Sequence, residues 1–135
     1  MEPDRTTEAR LLDVQAELQA LEPIFHGPKW GSDRATLEAM TDSDFWEVGA
    51  SGSRYSREHV FEVLRSRTAT EDEASWEARE FFCQELAPAN YLLTYTLHQG
   101  HRVTRRATLW RRVSERWQVV YHQGTPVAGS NIGGA

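Results

Sequence analysis

Between Tyr91 and Thr125 the chain reads YLLTYTLHQGHRVTRRATLWRRVSERWQVVYHQGT. Large apolar and aromatic residues recur there at every second position: Tyr91, Leu93, Tyr95 and Leu97, then Trp110, then Trp117, Val119 and Tyr121. That period belongs to half-buried strands. Gln99-Gly100-His101 and Ser114-Glu115 interrupt it with turn residues. Upstream, Ala87-Pro88-Ala89-Asn90 separates the stretch from an earlier alternating run. The pattern predicts four antiparallel strands at 76–86, 91–98, 102–113 and 116–125, joined by short hairpin turns.

The shortest plausible turns set an expected register. One face then collects Trp76, Phe82, Tyr91, Leu93, Tyr95, Leu97, Trp110, Trp117, Val119 and Tyr121. The other takes Phe81, Cys83, Leu92, Thr94, His98, Val103, Arg105, Ala107, Leu109, Arg111, Val120 and His122. So many aromatics on one face require cover, which the first half of the chain must supply. Gln84, Arg106 and Gln123 fall in one row across the aromatic face, flanked by Thr104, Thr108 and Thr125.

The first half reads as helix. Leu11, Val14, Leu18, Leu21 and Phe25 share one helical face, with Thr6 or Thr7 as the cap, and Pro23 and Gly27-Pro28 end the pattern. Ser32 is the expected cap of a short second helix through Leu37 and Met40. Asp44 to Gly49 reads as a short strand, followed by a turn at Ser51-Gly52-Ser53. Ser56 caps a third helix that buries Val60, Phe61, Leu64 and Thr68, and an acidic loop follows at Glu71-Asp72-Glu73. The expected class is α+β: three N-terminal helices packed on a strongly curved, mostly antiparallel sheet. A single domain over 1–126 and a loose tail over 127–135 complete it.

At 135 residues the chain suits one domain, and 39% hydrophobic with 26% charged residues excludes a disordered polymer or a helical membrane protein. Cys83 is the single cysteine, which excludes an internal disulfide and a cysteine-based metal site. The acidic start, Met1-Glu2-Pro3-Asp4, has no apolar segment of the secretory type, so a cytoplasmic protein is expected. The net charge of −5 is uneven: residues 101–135 carry six arginines against Glu115 alone. Those arginines divide between both strand faces, which disfavours a nucleic-acid stripe. Arg105 and Arg111 are expected to meet Glu77, Glu85 or a second subunit. No metal-ligand spacing, phosphate-binding glycine loop or nucleophile elbow is present.

Three helices around a short strand, then four long strands ending in aromatic-rich segments, resemble the nuclear transport factor 2-like superfamily over about Glu8 to Pro126. Asp44-Phe45-Trp46-Glu47-Val48-Gly49-Ala50-Ser51-Gly52 with Tyr55-Ser56-Arg57-Glu58, Arg106-Ala107-Thr108-Leu109-Trp110-Arg111, and Trp117 to Thr125 look like its SnoaL-like branch. The resemblance implies a cone-shaped pocket and often a homodimer built on the outer face of the sheet. It implies no single activity.

A small-molecule-binding protein without cofactor is therefore the first expectation. An acid–base enzyme of isomerase, cyclase or dehydratase type is the alternative, and a structural dimerisation module the third. Glu47 is unusual mid-strand and serves either as a structural partner of Arg106 or as a general base. Arg106 must be paired or contact a ligand, its donor fork suiting a carboxylate or enolate-like oxygen. Gln84 is a candidate ligand contact and Gln123 a candidate to orient either group; Tyr95 and Tyr121 are candidates to donate to an oxyanion, and Trp110 to form a wall. His122 is a candidate base that the expected register places outside the cone; a one-residue bulge would bring it in.

Overall fold

The computed structural model describes residues 1–25, 33–66 and 76–129. The expected cap at Ser32, the stop at Gly27-Pro28, Thr68, the acidic loop and residues 130–135 lie outside them.

Helix α1 (Leu12–Leu21) continues a 3-10 turn at Ala9–Leu11 and runs into another at Glu22–Phe25. Its apolar stripe buries Leu11 and Leu18. Thr7 does not cap it. The Thr7 hydroxyl donates to Gln15 and accepts the Cys83 N–H at 3.1 Å, tying the N-terminal segment to the sheet. Helix α2 (Arg34–Met40) is capped by Asp33, whose carboxylate accepts the Thr36 N–H at 2.7 Å, one residue after the expected cap. Helix α3 (Arg57–Ser66) follows Ser56, whose hydroxyl accepts the His59 N–H at 3.2 Å as its sequence position suggests.

The strands are β1 (Thr41–Val48), β2 (Arg54–Ser56), β3 (Glu77–Ala87), β4 (Asn90–Gln99), β5 (Arg102–Val113) and β6 (Arg116–Pro126). They form one curved sheet in the order β2-β1-β6-β5-β4-β3. The four C-terminal strands agree with the alternating pattern to within two residues at either end. β1 is longer than expected and pairs parallel with β6, which makes the sheet mixed. The helices cover one face, where Leu18, Phe45, Val60, Cys83, Leu93, Tyr95, Leu97, Trp110 and Val119 form the main core. Ile24, Leu37 and Phe61 form a smaller one.

Bulges overturn part of the expected register. Glu85 opposes Tyr91 while Ala87 opposes Asn90, so Leu86 is an extra residue on β3. Gln84 therefore pairs with Leu92 on the outer face, and Cys83 pairs with Leu93 inside. On β6, Val119 opposes Trp110 but Tyr121 opposes Leu109, which makes Val120 the extra residue. Every side chain beyond it changes face. Tyr121 and Gln123 move outside and His122 moves inside, opposite Thr108. A third irregularity lies between Arg79 and Phe82, where Glu80 takes φ 62°.

Candidate functional site

The bulge at Val120 brings His122 into a fully buried polar cluster. Glu22, at the end of α1, is 1% exposed and His122 is 0% exposed. The Glu22 carboxylate accepts Tyr95 Oη at 2.6 Å and Thr108 Oγ1 at 3.0 Å on one oxygen, and Trp110 Nε1 at 2.7 Å on the other. Thr108 Oγ1 is also 2.8 Å from His122 Nδ1. Because the Thr108 proton goes to Glu22, the Nδ1–H of His122 donates to Thr108. His122 Nε2 then accepts from Arg106 Nη1 at 3.4 Å, and Arg106 Nε donates to Thr104 at 2.9 Å. The chain runs in one direction, from the guanidinium through the imidazole and the hydroxyl to the carboxylate. Burial raises the Glu22 carboxyl to about 7, against the lowering effect of its three donors and Arg106.

His122 is sealed there. Its ring stacks on Phe25 at 3.9 Å between centroids, with 9° between planes. The other face of the site is a pocket of about 240 Å³ between α3 and the β1–β2 hairpin, lined by Phe25, Glu47, Tyr55, His59, Val60, Val63 and Leu64. Glu47 opposes His122 across the β1–β6 ladder and so shares the concave face. Burial pushes its carboxyl up, with Arg106 and His59 pulling it down. Glu47 and Arg106 influence each other's titration but form no ion pair. The Arg106 guanidinium lies over Gly124, where a Cβ would stand 3.2 Å from Arg106 Cζ. Burial lowers its pKa, and Arg102 acts in the same direction.

Of the residues singled out from sequence, the structure brings Glu47, Tyr95, Arg106, Trp110 and His122 to the concave side. It does not bring Gln84, Tyr121 or Gln123 there. Tyr121 donates to Gln123 on the outer face, and its ring lies 4.8 Å from that of Trp46. Tyr95 and Trp110 spend their donors on Glu22. Arg105 meets Glu80 and Arg111 meets Asp42, rather than Glu77 or Glu85. Glu22 escaped the sequence reading, although it stands four residues after Leu18 and eleven after Leu11, on the buried stripe of the first helix. No group of three His, Cys, Asp or Glu side chains among the described residues could hold a metal ion.

No family model matches the sequence, and no curated protein matches it. Solved structures do. A nuclear transport factor 2-like protein from Cytophaga hutchinsonii aligns over 90% of this chain and 100% of its own, with a TM-score of 0.55 and 14% identity. The chain has the nuclear transport factor 2-like fold. A protein of unknown function from Pectobacterium atrosepticum matches at TM-score 0.66 and 19% identity, over 95% and 99% of the two chains. A candidate ketosteroid isomerase from Parabacteroides distasonis matches at TM-score 0.66 and 13% identity, over 93% and 97%. At these identities the nuclear transport factor 2-like likeness is one of architecture: three helices on a curved, mixed sheet.

Proposed function

We propose that this chain binds a small, mostly apolar molecule in the pocket between α3 and the β1–β2 hairpin, with Glu47 as its polar contact. The observation that carries this reading is a carboxylate drawn out of water in a pocket otherwise walled by Phe25, Tyr55, His59, Val60, Val63 and Leu64. Apolar walls with few polar groups are the usual composition of small-molecule sites. The volume of about 240 Å³ holds about eight water-sized groups, so the ligand is compact. The SnoaL-like assignment, the cytoplasmic location and a homodimer through the outer face belong to this proposal. Trp46, 44% exposed beside Tyr121, supports the outer face as the subunit contact.

The acid–base reading draws on the same carboxyl. A raised pKa brings Glu47 closer to the range in which it exchanges protons efficiently. His122 is not its partner in that role, because Arg106, Thr108 and Phe25 occupy its two nitrogens and one ring face.

Thermal-shift screening with small aromatic alcohols and ketones tests the pocket. A hit should lose affinity at least tenfold in Leu64→Trp, which fills the space, and less in Glu47→Gln. Unchanged affinity in Leu64→Trp would place the ligand elsewhere. If a hit is turned over, Glu47→Gln should abolish turnover while binding persists; full turnover in that variant removes Glu47 as base.

A further inference from the structure

We propose that Arg102 and Arg106, with Thr104, form an oxyanion-binding site at the β4–β5 end of the concave face. It takes a carboxylate or phosphate group on a small ligand. This goes beyond the pocket reading above and does not rest on it, since none of these residues lines that pocket.

Strand alternation puts Arg102, Thr104 and Arg106 on one face of β5. Gln99 opposes Arg102 across the β4–β5 ladder and shares that face. The two guanidinium groups are close enough for Arg102 to disfavour the charge on Arg106. Like charges placed together on a sheet face repel, so their juxtaposition calls for a compensating anion. Among the described residues no carboxylate is in contact with either, although Glu47 and Glu22 act on Arg106 from a distance. Arg5, Arg10, Arg34, Arg79, Arg105, Arg111 and Arg112 each reach a carboxylate within 4 Å. Among the described residues Arg54, Arg57, Arg65, Arg102, Arg106 and Arg116 do not, and of these Arg102 and Arg106 share one strand face. The hydrogen bonds of Arg106 go to a hydroxyl and an imidazole.

One further atom marks the place. Arg102 Nε is buried and has no hydrogen-bond partner. A buried donor without an acceptor is costly, and an oxyanion satisfies a guanidinium edge with two parallel bonds. Arg106 is already oriented by Thr104 and, through His122 and Thr108, by Glu22. It is thus presented with its fork fixed. Four residues along a strand separate the two arginine Cα atoms by roughly 13 Å, and both side chains are long enough to converge on one group.

Isothermal titration of the full chain with inorganic phosphate and, separately, with succinate tests the site. The expected result is saturable binding of at least one probe, weakened tenfold or more in Arg102→Gln and Arg106→Gln. Arg102→Lys should weaken it less, because charge is kept and the fork lost. Arg116→Gln, at the opposite end of the sheet, should bind as the wild type does. Tighter phosphate binding assigns a phosphate ligand, and tighter succinate binding a carboxylate. Absence of binding by both probes would overturn the proposal. So would undiminished binding by a folded Arg102→Gln, or equal weakening in Arg116→Gln. Arg102→Gln decides the matter if Arg106→Gln does not fold. Neither probe enters the apolar pocket, so a negative Leu64→Trp result and a negative phosphate result fail separately.

Discussion

Replacing Glu22 by glutamine should remove a large part of the pH dependence of unfolding. The Glu22 carboxyl is raised from its ordinary 4.5 to about 7 because it lies in the core. At 1.36 kcal/mol for each pH unit, burying it ionised rather than protonated costs about 3 kcal/mol. The folded state binds the proton more tightly than the unfolded state, so the stabilising effect is complete below pH 4.5 and lost as pH rises through about 7. Between pH 5 and pH 8 the wild type should lose about 2.5 kcal/mol from this group. Glutamine is neutral throughout. It keeps an oxygen for Tyr95 and Thr108 but turns an amide donor toward the Trp110 N–H, which costs about 1–2 kcal/mol at pH 5. The variant should therefore be less stable than the wild type at pH 5 and more stable than it by about 0.5–1.5 kcal/mol at pH 8. Urea unfolding followed by tryptophan fluorescence at both pH values measures the difference. Glu47, also raised by burial, is present in both proteins and cancels. If the wild type and Glu22→Gln lose equal stability from pH 5 to pH 8, Glu22 does not titrate in that range and the account of the buried cluster is wrong.

Gly124→Ala should displace the Arg106 guanidinium, since the new Cβ would stand 3.2–3.3 Å from it. Phosphate or succinate affinity in titration calorimetry should fall severalfold while unfolding free energy drops by only about 1 kcal/mol. Ala89→Gly should stabilise the β3–β4 turn by about 1 kcal/mol, because Ala89 holds φ 68° and its side chain is exposed; a lower urea midpoint would contradict this.

The strand content was legible because its causes are local. Alternation at period two and the turn residues around Ala89, Gly100 and Ser114 locate β3 to β6 with little help from distant contacts. The caps were legible for the same reason at Ser56, and one residue off at α2. Arg106 and Glu47 stood out as charges on apolar faces, and both lie on the concave side. Glu22 was obscured because it sits between Leu21 and Pro23, where a helix end explains the residues without reference to a carboxylate.

Two extra residues mark the boundary between what the chain states locally and what it does not. Nothing in Leu86 or Val120 announces a bulge, since each continues an apolar pattern. Whether a strand accommodates the extra residue depends on the partner's register and on which side chains the helices will cover. That balance exchanged His122 for Tyr121 and Gln123 and moved Gln84 outside. Sequence alone thus determined that the four C-terminal strands pair as hairpins and singled out Arg106 and Glu47; it did not show β1 pairing with β6. The tertiary structure decided which polar groups join them, because facing is a collective property of the packed sheet.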